Sequence, residues 1–160
     1  MSEETDPTGV IVRRFDILSP AAQALIAALN AELSNRYPEE GANHFRLDPD
    51  EVADSRGAFL IASRSGKPIG CGAVRRIEDR TGEIKRMYVS PEERGRGVGH
   101  ALLVALEAEA RALGISRLVL ETGDRQSEAM ALYQRGGFSR IAPFGEYMGC
   151  PLSVCMAKEL

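Results

Sequence analysis

Histidine and cysteine are scarce in this chain: two of the first and three of the second among 160 residues. His44 and His100 lie far apart and no Cys-x-x-Cys pair occurs, so the ligand spacing of a metal site is missing and no metal is expected. Cys71, Cys150 and Cys155 are too few for a disulfide framework. Long apolar runs are missing too. The longest, Ala24–Leu29 and Ala101–Leu106, fall far short of the roughly 20 residues needed to cross a bilayer. The opening MSEETDPTG is acidic where a secretion signal is basic and then apolar. These absences lead us to expect a cytoplasmic protein that does not engage membranes. A strong charge bias is also lacking. Twenty Lys and Arg against 23 Asp and Glu leave a net charge of −3, so nucleic acid, whose phosphates reward a basic surface, is not an expected partner.

What is present describes a folded domain. Apolar residues make up 44% of the chain and charged residues 27%, a balance unlike that of disordered segments. At roughly 150 residues per domain there is room for one. We expect a disordered lead-in over 1–8 and a single domain over 9–160. No internal repeat is visible. Val10–Phe15 reads as a strand, and Ser19-Pro20 opens a helix whose Leu25, Ile26, Leu29 and Leu33 recur at helical spacing. Residues 38–57 are rich in turn formers and acids, with one helical turn expected after Asp48-Pro49. Ala58–Ser63 and Ile69–Ile77 read as a hairpin around Ser65-Gly66-Lys67-Pro68, and Glu83–Val89 as a third strand. A helix over 97–113 follows, striped by Leu102, Leu103, Leu106, Ala110 and Leu113 and stopped by Gly114. Leu118–Glu121 is a strand, Ser127–Arg135 a short helix, and the last 20 residues hold one or two more strands. The sum is an α/β fold: a mixed sheet with helices on its faces.

The informative stretch lies where strand passes into long helix. Arg94, Gly95, Arg96, Gly97, Val98 and Gly99 sit at a helix start, where amides are unpaired and the dipole favours anions. Glycines there let a phosphate close on the backbone, so the segment is a candidate pyrophosphate cradle. It is not a dinucleotide fingerprint, since the third glycine counted from Gly95 and Gly97 would fall on His100, and the Gly-Lys-Ser/Thr of a P-loop is absent.

Arg94-x-x-Gly97-x-Gly99, directly after a strand and opening an amphipathic helix, resembles the signature of the GNAT superfamily of acyl-CoA-dependent N-acetyltransferases. A second element downstream, Gln126, Ala129, Leu132-Tyr133 and Gly137-Phe138, is similar to that family's N-x-x-A-x-x-L-Y…G-F segment, with Gln126 where asparagine is usual. The resemblance implies a mostly antiparallel central sheet with two parallel strands splayed apart. It implies acetyl-CoA as cosubstrate, its diphosphate on the amides of the cradle, which the resemblance extends to His100. The pantetheine arm is then expected along Met87 and Val89, with the Val89 amide facing the oxyanion. Gln126 is expected beside the cofactor. Tyr133 matches the tyrosine that protonates the departing thiolate, and Glu83 is the candidate base.

The family builds its acceptor pocket near residues 38–57. Acids there would suit a cationic amine, a solvated acidic loop being the alternative reading of the same composition, and Tyr37, Glu39 and Tyr147 are the candidate contacts. Cys71 is expected as a strand thiol packed in the sheet rather than a nucleophile, and Arg75, Arg76, Lys85 and Arg86 as a solvated basic face. The function implied is acetyl transfer to a primary amine, favouring a small molecule over a peptide. Acetylation of a protein lysine or N-terminus, and a CoA-binding module without turnover, stand as alternatives. Members of the family often pair as homodimers, an arrangement left open for this chain.

Overall fold

Runs of small and β-branched residues broken by glycine fill the middle of the chain, and they assemble into one seven-stranded sheet. The computed structural model describes residues 9–39, 47–53 and 55–160. The expected lead-in over 1–8 lies outside them, as do Glu40, His44, Arg46 and Asp54. The strands are β1 (Val10–Arg14), β2 (Gly57–Arg64), β3 (Lys67–Glu78), β4 (Thr81–Val89), β5 (Arg117–Gly123), β6 (Ser139–Ile141) and β7 (Ser153–Glu159). Their spatial order is β1-β2-β3-β4-β5-β7-β6. Every neighbouring pair is antiparallel except β4 and β5, which run parallel.

Three helices cover the sheet: α1 (Pro20–Arg36), α2 (Val98–Ala112) and α3 (Ser127–Arg135). Ser19 caps α1 as expected, its Oγ accepting from the Ala22 amide at 3.3 Å, with Pro20 in the first turn. The turn anticipated after Asp48 is a 3-10 helix over Pro49–Val52. Strands in the centre are buried on both faces, so they read as nearly continuous apolar runs. In β2, Ala58, Leu60 and Ala62 face the α2 side with Leu102, Leu103 and Leu106. Phe59 and Ile61 face the α1 side with Ala22 and Leu25. Each of the leucine, isoleucine and phenylalanine side chains contributes about 1.5–3 kcal/mol by leaving water. Among the described residues no helix is long and apolar enough to cross a membrane.

The feature that positions a site is in mid-sheet. β4 and β5 pair only from Thr81↔Arg117 to Ile84↔Leu120. Past Ile84, β4 stays with β3 as far as Gly70↔Val89, while β5 stays with β7 as far as Gly123↔Ser153. The two strands therefore part. A β-bulge drives the parting: Ala73 faces Lys85 and Cys71 faces Tyr88, so Gly72 alone opposes Arg86 and Met87. Arg86 takes a φ of 59° to accomplish it, unusual for a residue with a Cβ.

Candidate functional site

Parted strands leave backbone groups without a ladder partner, and a cleft opens between them. Its volume is about 100 Å³, and its lining joins both strands to α1, α3 and the chain before β7. Lys85, Arg86 and Met87 come from β4, and Glu121, Thr122 and Gly123 from β5. Gln126, Ala129 and Tyr133 come from α3, with Tyr37 and Tyr147 on the opposite side.

The α2 N-terminus has the electrostatics of an anion site. Gly95 and Gly97 have φ of 77° and 86°, which turns successive amides outward. The first backbone bond of the helix is Ala101 N–H to the Gly97 carbonyl, at 3.0 Å. Among the described residues, the amides from Gly95 through His100 donate to no backbone carbonyl. His100 is exposed, and the Arg96 side chain is 62% exposed with only a 3.5 Å contact to Glu93. Arg94 is engaged elsewhere. Its guanidinium donates to the Val89 carbonyl at 2.9 Å, pairs with Glu32 at 2.8 Å and lies over the Tyr88 ring. Gly99 serves packing, because a Cβ there would stand 2.9 Å from Leu132 Cδ2. The six-residue segment thus divides its labour: Gly95, Arg96 and Gly97 face outward, Arg94 braces β4 to α1, and Gly99 seats α3 on α2.

Tyr133 is buried at the cleft and meets Phe138 edge-on, with ring centroids 5.9 Å apart. Among the described residues its hydroxyl makes no hydrogen bond. Burial, reinforced by the Glu121 charge, pushes its pKa well above that of free tyrosine, so it stays protonated. Glu83 is 1% exposed and held on both oxygens. Its Oε1 accepts from Arg75 Nε at 3.0 Å and Nη2 at 2.8 Å, and its Oε2 accepts from the Tyr147 hydroxyl at 2.6 Å. Tyr147 is held protonated by burial and by the Glu83 charge. Lys85 Nζ donates to the same hydroxyl at 3.4 Å. A chain Glu83–Tyr147–Lys85 thus runs from under the sheet into the cleft.

Tyr37 closes one end. Its hydroxyl accepts from the Arg125 amide at 2.5 Å, and the Arg125 guanidinium lies 4.9 Å above its ring. Gly123 makes room for it, since a Cβ there would stand 2.0 Å from the Tyr37 hydroxyl. Glu39 is exposed and pairs with Arg125, outside the cleft lining. Gln126 lines the cleft at the N-cap position of α3 without capping it through its side chain.

Two expectations need correcting. The described acids of residues 38–57 do not line this cleft: Asp48, Asp50 and Glu51 border a separate hollow with Arg56, Arg75 and Glu146. Nor are Lys85 and Arg86 a solvated face, being 7% and 8% exposed. The bulge turns Arg86 inward, and no local pattern in the sequence announces it. The Tyr147–Glu83 bond was equally invisible, as it joins residues 64 positions apart. Cys71 is no nucleophile. It is fully buried, its Sγ donates to the Arg86 carbonyl at 3.2 Å, and burial pushes its pKa up to about 12.

Comparison with known proteins bears on the whole arrangement. Residues 22–138 match the model of the acetyltransferase (GNAT) family. An IAA acetyltransferase of Azospirillum brasilense is 44% identical over 152 residues, 94% of this chain and 98% of its own. A solved structure assigned as an acyl-CoA N-acyltransferase from Klebsiella pneumoniae superposes with a TM-score of 0.81 at 36% identity, covering 96% of this chain and 99% of its own. A GNAT-family acetyltransferase from Elizabethkingia anophelis, solved with acetyl-CoA bound, shares the fold at 19% identity and a TM-score of 0.68, covering 95% and 99%.

Proposed function

Since the chain belongs to the GNAT family of acetyltransferases, we propose that it transfers the acetyl group of acetyl-CoA to a primary amine by direct attack in a ternary complex. The observation that carries this reading is the parting of β4 and β5 past Ile84, with Tyr133 buried beside the gap. The residues present fit the cosubstrate. Unpaired amides from Gly95 to His100, with exposed Arg96, suit a diphosphate, and the unladdered edge of β4 at Met87 and Val89 suits the amide-bearing pantetheine arm. When bound, acetyl-CoA supplies an activated acyl thioester. Gln126 and Tyr133 then flank the α3 side of the cleft, and the Val89 amide is the proposed donor to the developing oxyanion.

Tyr133 Oη gives its proton to the departing sulfur as the new N–C bond replaces the C–S bond. The attacking nitrogen must lose a proton in turn. Glu83, buried behind Tyr147, takes it indirectly through that hydroxyl and water. Holding both reactants in line contributes several kcal/mol on its own, by roughly the scale of effective molarities. A cleft of about 100 Å³ walled by Tyr37, Tyr147, Leu29 and Leu33 favours a small acceptor over a protein surface. Thiol release from acetyl-CoA over a panel of small amines, lysine peptides and IAA tests the reading. Turnover confined to peptides would shift it to protein acetylation, and acetyl-CoA binding without any thiol release would reduce it to a binding module.

A further inference from the structure

Three basic side chains on β3 and β4 are largely withdrawn from water on the α1 side of the sheet. Arg75 is matched twice, by Glu83 and by Glu51. Lys85 is not matched in this way. It is 7% exposed, and its one hydrogen bond among the described residues is the 3.4 Å contact to the Tyr147 hydroxyl. No carboxylate among the described residues lies within ion-pair distance of it. Of the acids whose charge reaches it, Glu83 is held by Arg75 and Tyr147, and Glu146 lies beyond ion-pair distance; Glu121, on the cleft wall, accepts from the Ser153 hydroxyl at 2.7 Å. Arg86, 8% exposed, stands next to Lys85 and lines the same cleft.

Burying an ammonium without a counter-ion is costly, and burial indeed lowers the affinity of Lys85 for its proton. An anionic group arriving in the cleft relieves that cost, because charge-assisted bonds are strongest where water is excluded. Beyond the two cations the wall is mixed: Leu29 and Leu33 of α1 and Leu152 supply apolar surface, while Glu121, Thr122 and Gln126 supply polar groups. We propose that the acceptor is a primary amine that also carries a carboxylate, the carboxylate held by Lys85 and Arg86 and the apolar body laid against Leu29, Leu33 and Leu152. The amine end then points to the gap between β4 and β5. This deepens the acetyltransferase reading and rests on it, and it reverses the preference for a purely cationic amine drawn from residues 38–57.

The test uses matched acceptors: leucine, methionine and phenylalanine, their carboxamides, and the corresponding amines lacking the carboxyl group. Thiol release from acetyl-CoA should give a kcat/KM at least about tenfold higher for each acid than for its amide, and Lys85→Met should collapse that ratio toward one. Equal or better turnover of the amides, or a ratio unmoved by Lys85→Met, overturns the proposal. If Lys85→Met does not fold, Arg86→Gln reads the same ratio. Calorimetry of the same acids and amides on protein saturated with CoA, where no transfer can occur, separates the two readings. Tighter binding of the acids with no thiol release from any amine sinks the acetyl-transfer reading and upholds carboxylate recognition. Thiol release across the panel with no acid preference does the reverse, and absence of acid binding overturns the inference.

Discussion

Tyr133→Phe removes one oxygen from the cleft, and the structure says what that oxygen does not do. It makes no hydrogen bond among the described residues, so no buried partner is orphaned by its loss. The ring keeps its edge contact with Phe138 at 5.9 Å. Stability should therefore move by about 0.5 kcal/mol or less, a Tm shift of about 2 °C at most for a chain of this size. Chemistry should respond very differently. A lost general acid typically costs a factor of roughly 10²–10⁴, or about 2.7–5.4 kcal/mol of barrier. The assay is thiol release under saturating acetyl-CoA, with cosubstrate affinity by calorimetry alongside. We expect kcat to fall within that range while the acetyl-CoA Kd and the Tm hold. Because burial raises the Tyr133 pKa, the acid form persists as pH rises, so wild-type kcat should show no alkaline loss from this group below about pH 10. A variant whose kcat stays within about threefold of wild type would refute the role.

Other perturbations test other parts of the structure. Gly97→Val forces a β-branched residue to a φ of 86°, so acetyl-CoA affinity should be lost in calorimetry; Gly95→Ala, where a Cβ meets nothing within 4 Å, should cost only about 1 kcal/mol of strain. Retained affinity in Gly97→Val would show that the amides there hold no phosphate. Arg75→Met removes the guanidinium paired with Glu83, which is 1% exposed, and should lower stability by about 3–5 kcal/mol, a Tm loss on the order of 10 °C in a thermal melt. For the thiols, a Cys71 pKa of about 12 leaves about one part in 10⁴ as thiolate at pH 8. With Cys155 also buried, a disulfide reagent should titrate Cys150 alone in the native protein and all three thiols after denaturation. Fast native labelling of Cys71 would contradict its burial.

How much of this was legible beforehand follows from the range of each interaction. Ser19-Pro20, the leucine stripe of α2 and the Ser65-Gly66 hairpin are local signals, and the elements they predict match the structure to within about two residues at most ends. The outward amides of the α2 start were likewise readable, because helix ends and glycine torsions are decided within a few residues. The division of labour inside that segment was not. Whether Arg94 meets a phosphate or Glu32, and whether Gly99 serves a ligand or Leu132, depends on partners about 60 and 33 positions away by the numbering.

The order of elements and the backbone donors at the start of α2 were determined by the sequence alone, since both arise from short-range periodicity, capping and torsional freedom. The site's interior was decided only by the tertiary structure. One bulge turns Arg86 into the cleft beside Lys85, next to the point where β4 parts from β5, and only the folded chain brings Tyr147 onto Glu83. Charge composition along residues 38–57 fitted an acidic pocket as well as a solvated loop, because composition has no direction. The fold aims the described acids Asp48, Asp50 and Glu51 elsewhere, and burial gives the two basic residues beside Tyr147 their electrostatic weight.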